Sequence, residues 1–174
     1  MTIPKEYKDV PTAELSTIRF INLFDKDKSE LRKLIAACEN DGFFYLDLES
    51  SGSEKFWADL YEIDSITKKW FSQSTDVKLK TPTVSLAHGL VGLQVFSSED
   101  ATWKYVEPRP GHAIINVGDT LRFLSNKQLR SALHRVLPLG RVQTEDRYSI
   151  SYFLRASDST EFEDSNGDDS SAKK

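Results

Sequence analysis

The sequence has little of several features that would assign it to a particular class of protein. Cys38 is its single cysteine, so the chain forms no internal disulfide, and we expect a reducing, cytoplasmic location. No apolar run is long enough to span a membrane, and residues 1–8 lack the apolar segment of a secretory signal. A net charge of −4 argues against the basic surface on which nucleic-acid binding depends. We therefore expect neither a membrane nor a nucleic acid as a partner.

The composition is that of a globular protein with an acidic tail. The 174 residues are 39% hydrophobic and 29% charged, which suits one domain with a sizeable core. Residues 157–174 are rich in Ser, Asp and Glu and include one aromatic residue, Phe162. Because such a segment cannot bury enough apolar surface to fold, we predict a disordered tail there.

The first half of the chain predicts alternating strands and helices. Residues 18–23 predict a first strand, with Ile18 and Phe20 on one face and Arg19, Ile21 and Leu23 on the other. A helix is expected over 29–40, with acidic residues near its start and Gly42 just past its end. A second strand follows over 43–48, and a second helix over 53–71 begins at a serine that can act as its N-cap.

Apolar stripes at helical spacing mark the faces of both helices that we expect in the core. The stripe of the first helix includes Cys38, which we interpret as a small core residue rather than a nucleophile. The stripe of the second helix is aromatic, and such a stripe is more often core than a binding surface. Its predicted core residues are Phe56, Trp57, Leu60, Tyr61, Ile63 and Trp70.

The second half contains runs that are typical of β-strands. Residues 114–117 form an apolar strand that ends at a Gly-Asp turn. Residues 147–154 alternate between an apolar face and a polar face that carries Arg147 and Ser149 side by side. An arginine fork pairs with a carboxylate through two hydrogen bonds, and a hydroxyl two residues on adds a donor. This pair is either a carboxylate-binding site or an ordinary ion pair at a strand end.

These runs belong to a set of motifs that resembles a known enzyme family. The motifs are GFFYL at 42–46, GLQV at 92–95, WKYVEPRPGHAIINVGDTLRFLSN at 103–126, RSALHRV at 130–136 and RYSISYF at 147–153. In this order they resemble the iron(II)- and 2-oxoglutarate-dependent oxygenases of the isopenicillin N synthase-like group. The resemblance implies an α+β fold with a mainly β core, a partial double-stranded β-helix (jelly roll) that follows an N-terminal strand-helix-strand-helix segment.

The same resemblance implies a division of the chain and a set of cofactors. Residues 1–80 correspond to the N-terminal segment packed on the core, and residues 81–156 to the C-terminal part of the double-stranded β-helix. The acidic tail lies outside the likeness. The implied cofactors are Fe(II) and 2-oxoglutarate, and the implied partner is a small-molecule substrate of natural-product metabolism.

Three residues carry the site that the resemblance implies. His134 corresponds to the distal iron ligand of the family. Arg147 and Ser149 correspond to the pair that holds the far carboxylate of 2-oxoglutarate. If no metal is bound, His134 is a candidate general acid or base, because an imidazole serves either role near neutral pH.

The other two iron ligands of the family are missing. A facial iron site needs two histidines and one carboxylate, and the family supplies two of these ligands as His-x-Asp or His-x-Glu. The sequence has three histidines, and the residues two positions after His88, His112 and His134 are Leu, Ile and Val. Residues 81–91 stand where relatives have a long block that contains the missing pair.

This gap predicts both an altered function and an altered surface. We expect iron binding and oxidation to be impaired in the isolated chain. The alternatives are a non-catalytic pseudoenzyme or partner protein, or a metal-independent acid-base isomerase or cyclase that uses the inherited pocket. Loss of neighbouring strands should leave open sheet edges and uncovered apolar faces, which predicts a homodimer.

Overall fold

Two small β-sheets and a set of helices make up the part of the chain that can be described. A computed structural model describes residues 9–50, 52–78, 92–138, 151–157 and 160. The strands are β1 (Thr17–Arg19), β2 (Phe43–Asp47), β3 (Leu93–Ser97), β4 (Thr102–Tyr105), β5 (His112–Asn116) and β6 (His134–Val136). The helices are α1 (Phe20–Phe24), α2 (Lys28–Asn40), α3 (Glu54–Phe71), α4 (Thr75–Lys78) and α5 (Asp119–Leu124).

Each sheet has three strands, and most of the pairings are antiparallel. The first sheet has the order β1-β2-β5, in which β1 is parallel to β2 and β5 is antiparallel to it. The second sheet has the order β4-β3-β6, with both pairs antiparallel. The register places His112 opposite Asp47 in the first sheet and His134 opposite Val95 in the second.

The main core lies between the two sheets. Phe43 and Tyr45 of β2 pack in one buried cluster with Val95 of β3 and with Val106 and Ala132 from the connecting segments. Because side chains alternate along a strand, these β2 residues share one face, and Phe44 between them points to the other.

A second core cluster lies on the outer face of the first sheet, under α2. Phe44 and Ile18 are buried there against Ala37, and Cys38 is a half-buried neighbour. Burial raises the pKa of the Cys38 thiol, and the nearby Glu39 carboxylate raises it further. Both effects keep the thiol protonated, which agrees with its interpretation as a packing residue rather than a nucleophile.

The region around α2 confirms one expected helix and corrects one expected strand. The Asp27 carboxylate caps α2 by accepting hydrogen bonds from the backbone N–H groups of Ser29 (2.7 Å) and Glu30 (3.0 Å). The predicted strand over 18–23 is wrong after Arg19, because the chain turns there into α1. The buried Glu30 carboxylate stabilises this turn by accepting hydrogen bonds from the Arg19 N–H and the Asn22 side chain.

Helix α3 ends at Phe71 as expected, but its predicted burial is wrong. Phe56 and Ile63 are 45% and 42% exposed, and neither buried core cluster contains an α3 residue among the described part of the chain. The Trp57 Nε1–H donates a hydrogen bond to the Leu48 carbonyl at 3.1 Å, which connects the start of the helix to the residue that follows β2. Helical periodicity predicts an apolar stripe, but the stripe is buried only if another element packs against it, and the periodicity does not show whether one does.

The C-terminal segment also differs from expectation. Residues 151–157 have no regular secondary structure, and Tyr152 and Leu154 are about nine-tenths exposed. The predicted strand over 147–154 is therefore wrong in its second half. Its first half, which includes Arg147 and Ser149, and most of the predicted acidic tail lie outside the described residues. Within the described ranges, none of the helices has the length and apolar character needed to cross a bilayer.

Candidate functional site

His134 lies on β6, which is an edge strand of the second sheet. It pairs in register with Val95, and its ring meets that of Phe43 edge to face at 5.4 Å between centroids. Since Val95 and Phe43 belong to the core between the sheets, these contacts place the imidazole at the border of that core. The residue itself is exposed.

The imidazole of His134 is oriented by the backbone. Its Nδ1 lies 3.2 Å from the carbonyl oxygen of Ala132. In the tautomer that suits this contact, Nδ1 carries the proton and donates it to the carbonyl, which leaves the Nε2 lone pair available. A histidine held in this way can accept a proton or contribute one bond to a metal.

The residue after His134 fixes the strand against its neighbour. Arg135 Nε donates to the side-chain oxygen of the buried Gln94 at 2.7 Å, and its guanidinium stacks 4.0 Å from the centroid of the Trp103 ring. These contacts join β6, β3 and β4 through one side chain. His134 therefore sits on a well-supported strand although it is exposed.

The described residues around His134 do not fit the iron centre that its sequence context implied. A facial iron centre needs two imidazoles and a carboxylate close together. Within the described ranges, the one group of three side chains able to hold a metal comprises Asp47, Glu49 and His112, and His134 is outside it. The third histidine, His88, and the predicted carboxylate-binding residues Arg147 and Ser149 lie outside the described residues.

The group of Asp47, Glu49 and His112 was not anticipated. One ligand atom from each residue lies within 4.8 Å of the others. His112 is the first residue of β5 and is half-buried. The sequence contains one signal for the group, an Asp-x-Glu spacing at the end of β2, but nothing local connects that pair to a histidine sixty-odd positions later.

Comparison with known proteins finds similarity to oxygenases that use 2-oxoglutarate. The sequence model of the 2OG-Fe(II) oxygenase superfamily matches residues 69–156. The chain is similar to the 2-oxoglutarate-dependent dioxygenase FG08081 of Gibberella zeae, with 41% identity over 291 residues that cover 98% of this chain and 88% of the relative. It is also similar to the oxidoreductase vrtI of Penicillium aethiopicum, with 63% identity over 82 residues that cover 47% of this chain and 20% of vrtI.

The fold is similar to that of a protein solved with alpha-KG. The crystal structure of a full-length Neurospora crassa protein in complex with alpha-KG and 5-formyluracil matches with a TM-score of 0.67 and 14% identity, over 88% of each chain. At this identity the likeness concerns the fold. The family model and the similarity to FG08081 confirm the predicted family, whose cofactors are Fe(II) and 2-oxoglutarate.

Proposed function

Because the chain belongs to the 2OG-Fe(II) oxygenase superfamily, we propose that it is a shortened dioxygenase-like protein that does not carry out iron-dependent oxidation by itself. The observation that carries this proposal is the isolation of His134. No His-x-Asp or His-x-Glu exists in the sequence, and no group of three ligands in the described ranges includes His134. One imidazole does not hold a labile divalent metal tightly.

The length of the alignment supports the same conclusion. The comparison with FG08081 extends over 291 positions, whereas this chain has 174 residues, so more than one hundred positions of the alignment have no counterpart here. Since the alignment covers 98% of this chain, those positions lie within it rather than beyond its ends. We infer that the fold is a partial double-stranded β-helix, to which residues 1–80 and 81–156 contribute the two parts expected from the sequence.

We further propose that the inherited pocket binds a small carboxylic acid, with a small molecule of natural-product metabolism as substrate in intact relatives. Arg147 and Ser149 are the proposed anchors, on the strength of their spacing and their sequence context alone. Arginine provides a planar pair of donors for a carboxylate, and the hydroxyl two residues away provides another.

Acid-base chemistry at His134 is the second candidate function. It is favoured by the contact between Nδ1 and the Ala132 carbonyl, which leaves Nε2 accessible on an exposed strand. A positioned imidazole can transfer a proton without a metal. This arrangement would suit an isomerase or a cyclase. If the chain neither binds the metal nor transfers protons, it is a non-catalytic pseudoenzyme or a partner protein.

Anaerobic titration with Fe(II) and 2-oxoglutarate tests the main proposal. We expect no stoichiometric iron at His134, no 2-oxoglutarate consumption when oxygen is admitted, and no change on His134→Ala. Stoichiometric iron that is lost in His134→Ala, together with turnover of 2-oxoglutarate, would show that the proposal is wrong.

The acid-binding part of the proposal has its own measurement. Calorimetric titration should show that the unmodified chain binds 2-oxoglutarate and that Arg147→Ala does not. Arg155→Ala, eight positions later in the sequence, is the control, because it removes the same charge and should leave binding unchanged. If Arg147→Ala and Arg155→Ala behave alike, the anion site does not involve Arg147 specifically.

A further inference from the structure

We propose that Asp47, Glu49 and His112 form a binding site for a divalent transition metal, separate from His134. Nothing in the family resemblance assigns these residues a role. Their donor set is two carboxylates and one imidazole, which suits borderline cations such as Zn²⁺. The proposal does not depend on the proposed function, because it concerns other side chains, on the first sheet rather than the second.

The pairing of β2 with β5 brings the three residues together. Asp47 is the last residue of β2 and His112 the first of β5, and the antiparallel register places them directly opposite each other. Directly opposed residues project from the same face of a sheet with Cβ atoms about 4.5–5.5 Å apart. This geometry explains why the ligand atoms of Asp47 and His112 lie within 4.8 Å of each other.

His112 is oriented as a metal-binding histidine is. Its Nδ1 lies 2.8 Å from the carbonyl oxygen of Pro110, and in the tautomer that makes this hydrogen bond Nε2 has a free lone pair. Metal-ligating histidines commonly donate their other ring nitrogen to a carbonyl in this way, which sets the tautomer and the ring direction. An edge-to-face contact with Tyr45, at 6.2 Å between ring centroids, also restrains the ring.

The backbone holds Glu49 close to the other two residues. The Asp47 side chain accepts a hydrogen bond from the Glu49 N–H at 2.9 Å, and the Leu48 N–H donates to the Gly111 carbonyl at 3.0 Å. The Glu49 side chain lies over Gly111, where an added Cβ would be 2.5 Å from its Oε1. A glycine with φ +74° therefore makes the space in which this carboxylate approaches His112.

The local charge balance favours a cation. Two carboxylates adjoin one imidazole, and in the described part of the chain Glu49 forms no ion pair. One competing cation is Arg19, whose Nε is 3.8 Å from Asp47 Oδ2 and whose side chain is 65% exposed. An exposed pair at this distance contributes little, so a divalent ion could displace it.

Small side-chain movements would complete the coordination. Metal–ligand distances near 2.1 Å in a tetrahedral site require ligand atoms roughly 3.4 Å apart. The three ligand atoms lie within 4.8 Å of one another, so small rotations are enough to reach this spacing. Glu49 is exposed and can rotate to do so. Three protein ligands then leave a fourth position for water, which is the arrangement of open rather than purely structural zinc sites.

Equilibrium dialysis with ZnCl₂, followed by metal analysis, tests the proposal on the full chain. We expect one Zn²⁺ per chain and a rise in Kd of at least about 10-fold in His112→Gln and in Glu49→Gln, because each variant removes a ligand. His134→Gln is the matched control and should leave Kd within about twofold, since His134 is outside the group. Arg19→Ala should tighten binding by about two- to fivefold because it removes the competing cation.

The same variants decide whether the proposal fails. Circular dichroism and thermal unfolding first establish that each variant folds. Zinc binding that survives both His112→Gln and Glu49→Gln, or that only His134→Gln reduces, would overturn the assignment. Absence of stoichiometric zinc in the unmodified chain would overturn it as well. None of these outcomes depends on whether iron binds at His134 or whether 2-oxoglutarate is consumed.

Discussion

Replacing Gly42 with alanine should be strongly destabilising, and the structure allows its cost to be worked out. Gly42 follows α2 with φ +68°, a conformation that costs a residue with a Cβ about 1–2 kcal/mol. The added Cβ would overlap the Arg130 carbonyl group, with the carbonyl carbon 2.9 Å away and Ala132 N 3.3 Å away. The segment that leads to His134 would have to move.

That movement also threatens a hydrogen bond. The Arg130 N–H donates to the Cys38 carbonyl at 2.9 Å, an interaction that contributes about 1 kcal/mol. Together with roughly 1 kcal/mol for the backbone shift, the expected loss for Gly42→Ala is about 3–4 kcal/mol, or a fall in Tm of about 6–16 °C.

Thermal and urea unfolding of Gly42→Ala beside Gly52→Ala provide the assay. Gly52 has φ +96°, but nothing lies within 4 Å of an added Cβ, so Gly52→Ala should cost only the conformational term, about 1–2 kcal/mol. The difference between the two variants isolates the close packing of residues 130–132 on Gly42. Equal destabilisation by the two substitutions would refute that packing argument.

Two further predictions concern charge and association. Burial alone would raise the pKa of Glu30, but hydrogen bonds from the Arg19 N–H and the Asn22 side chain, with the Lys33 charge, outweigh it and lower the pKa. The ionised carboxylate therefore stabilises the fold at pH values above its ordinary pKa of 4.5. Glu30→Gln should lower the free energy of unfolding by about 1–2 kcal/mol at pH 7. The difference in unfolding free energy between Glu30→Gln and the unmodified protein should shrink as the pH falls from 4.5 through the lowered pKa of Glu30. A difference that does not change with pH in urea unfolding would contradict this. The exposed apolar face of α3 supports the predicted homodimer, so light scattering should give twice the molar mass of one chain. Ile66→Glu should shift the protein toward monomer and the neighbouring Ser65→Glu should not, whereas a monomeric unmodified chain would exclude the dimer.

Family membership and several elements could be predicted without any tertiary information. Helix α2 forms where expected because its signals are local, with Asp27 binding its first free N–H groups and Gly42 adopting the positive φ that ends it. β2 and β5 were expected from their apolar runs, and both are strands. The spaced motifs identified the superfamily because they depend only on order along the chain.

Burial was predicted less well, since it depends on what faces each element. Residues 20–23 were expected to continue the first strand, yet they lie in α1, next to a turn that the Glu30 carboxylate of α2 stabilises. The stripe on α3 has the spacing of a core face, but Phe56 and Ile63 remain exposed because neither core cluster extends to them in the described part of the chain.

The sequence by itself determined what is absent from this protein. With three histidines and no carboxylate two positions after any of them, the family's paired iron ligands cannot be present, whatever the fold. Only the tertiary structure decided which side chains meet instead. Asp47 and His112 come together through the antiparallel register of β2 and β5, and a one-residue slip of that register would turn one of them to the opposite face. Such a contact is a property of strand pairing, which the local sequence at either residue does not encode.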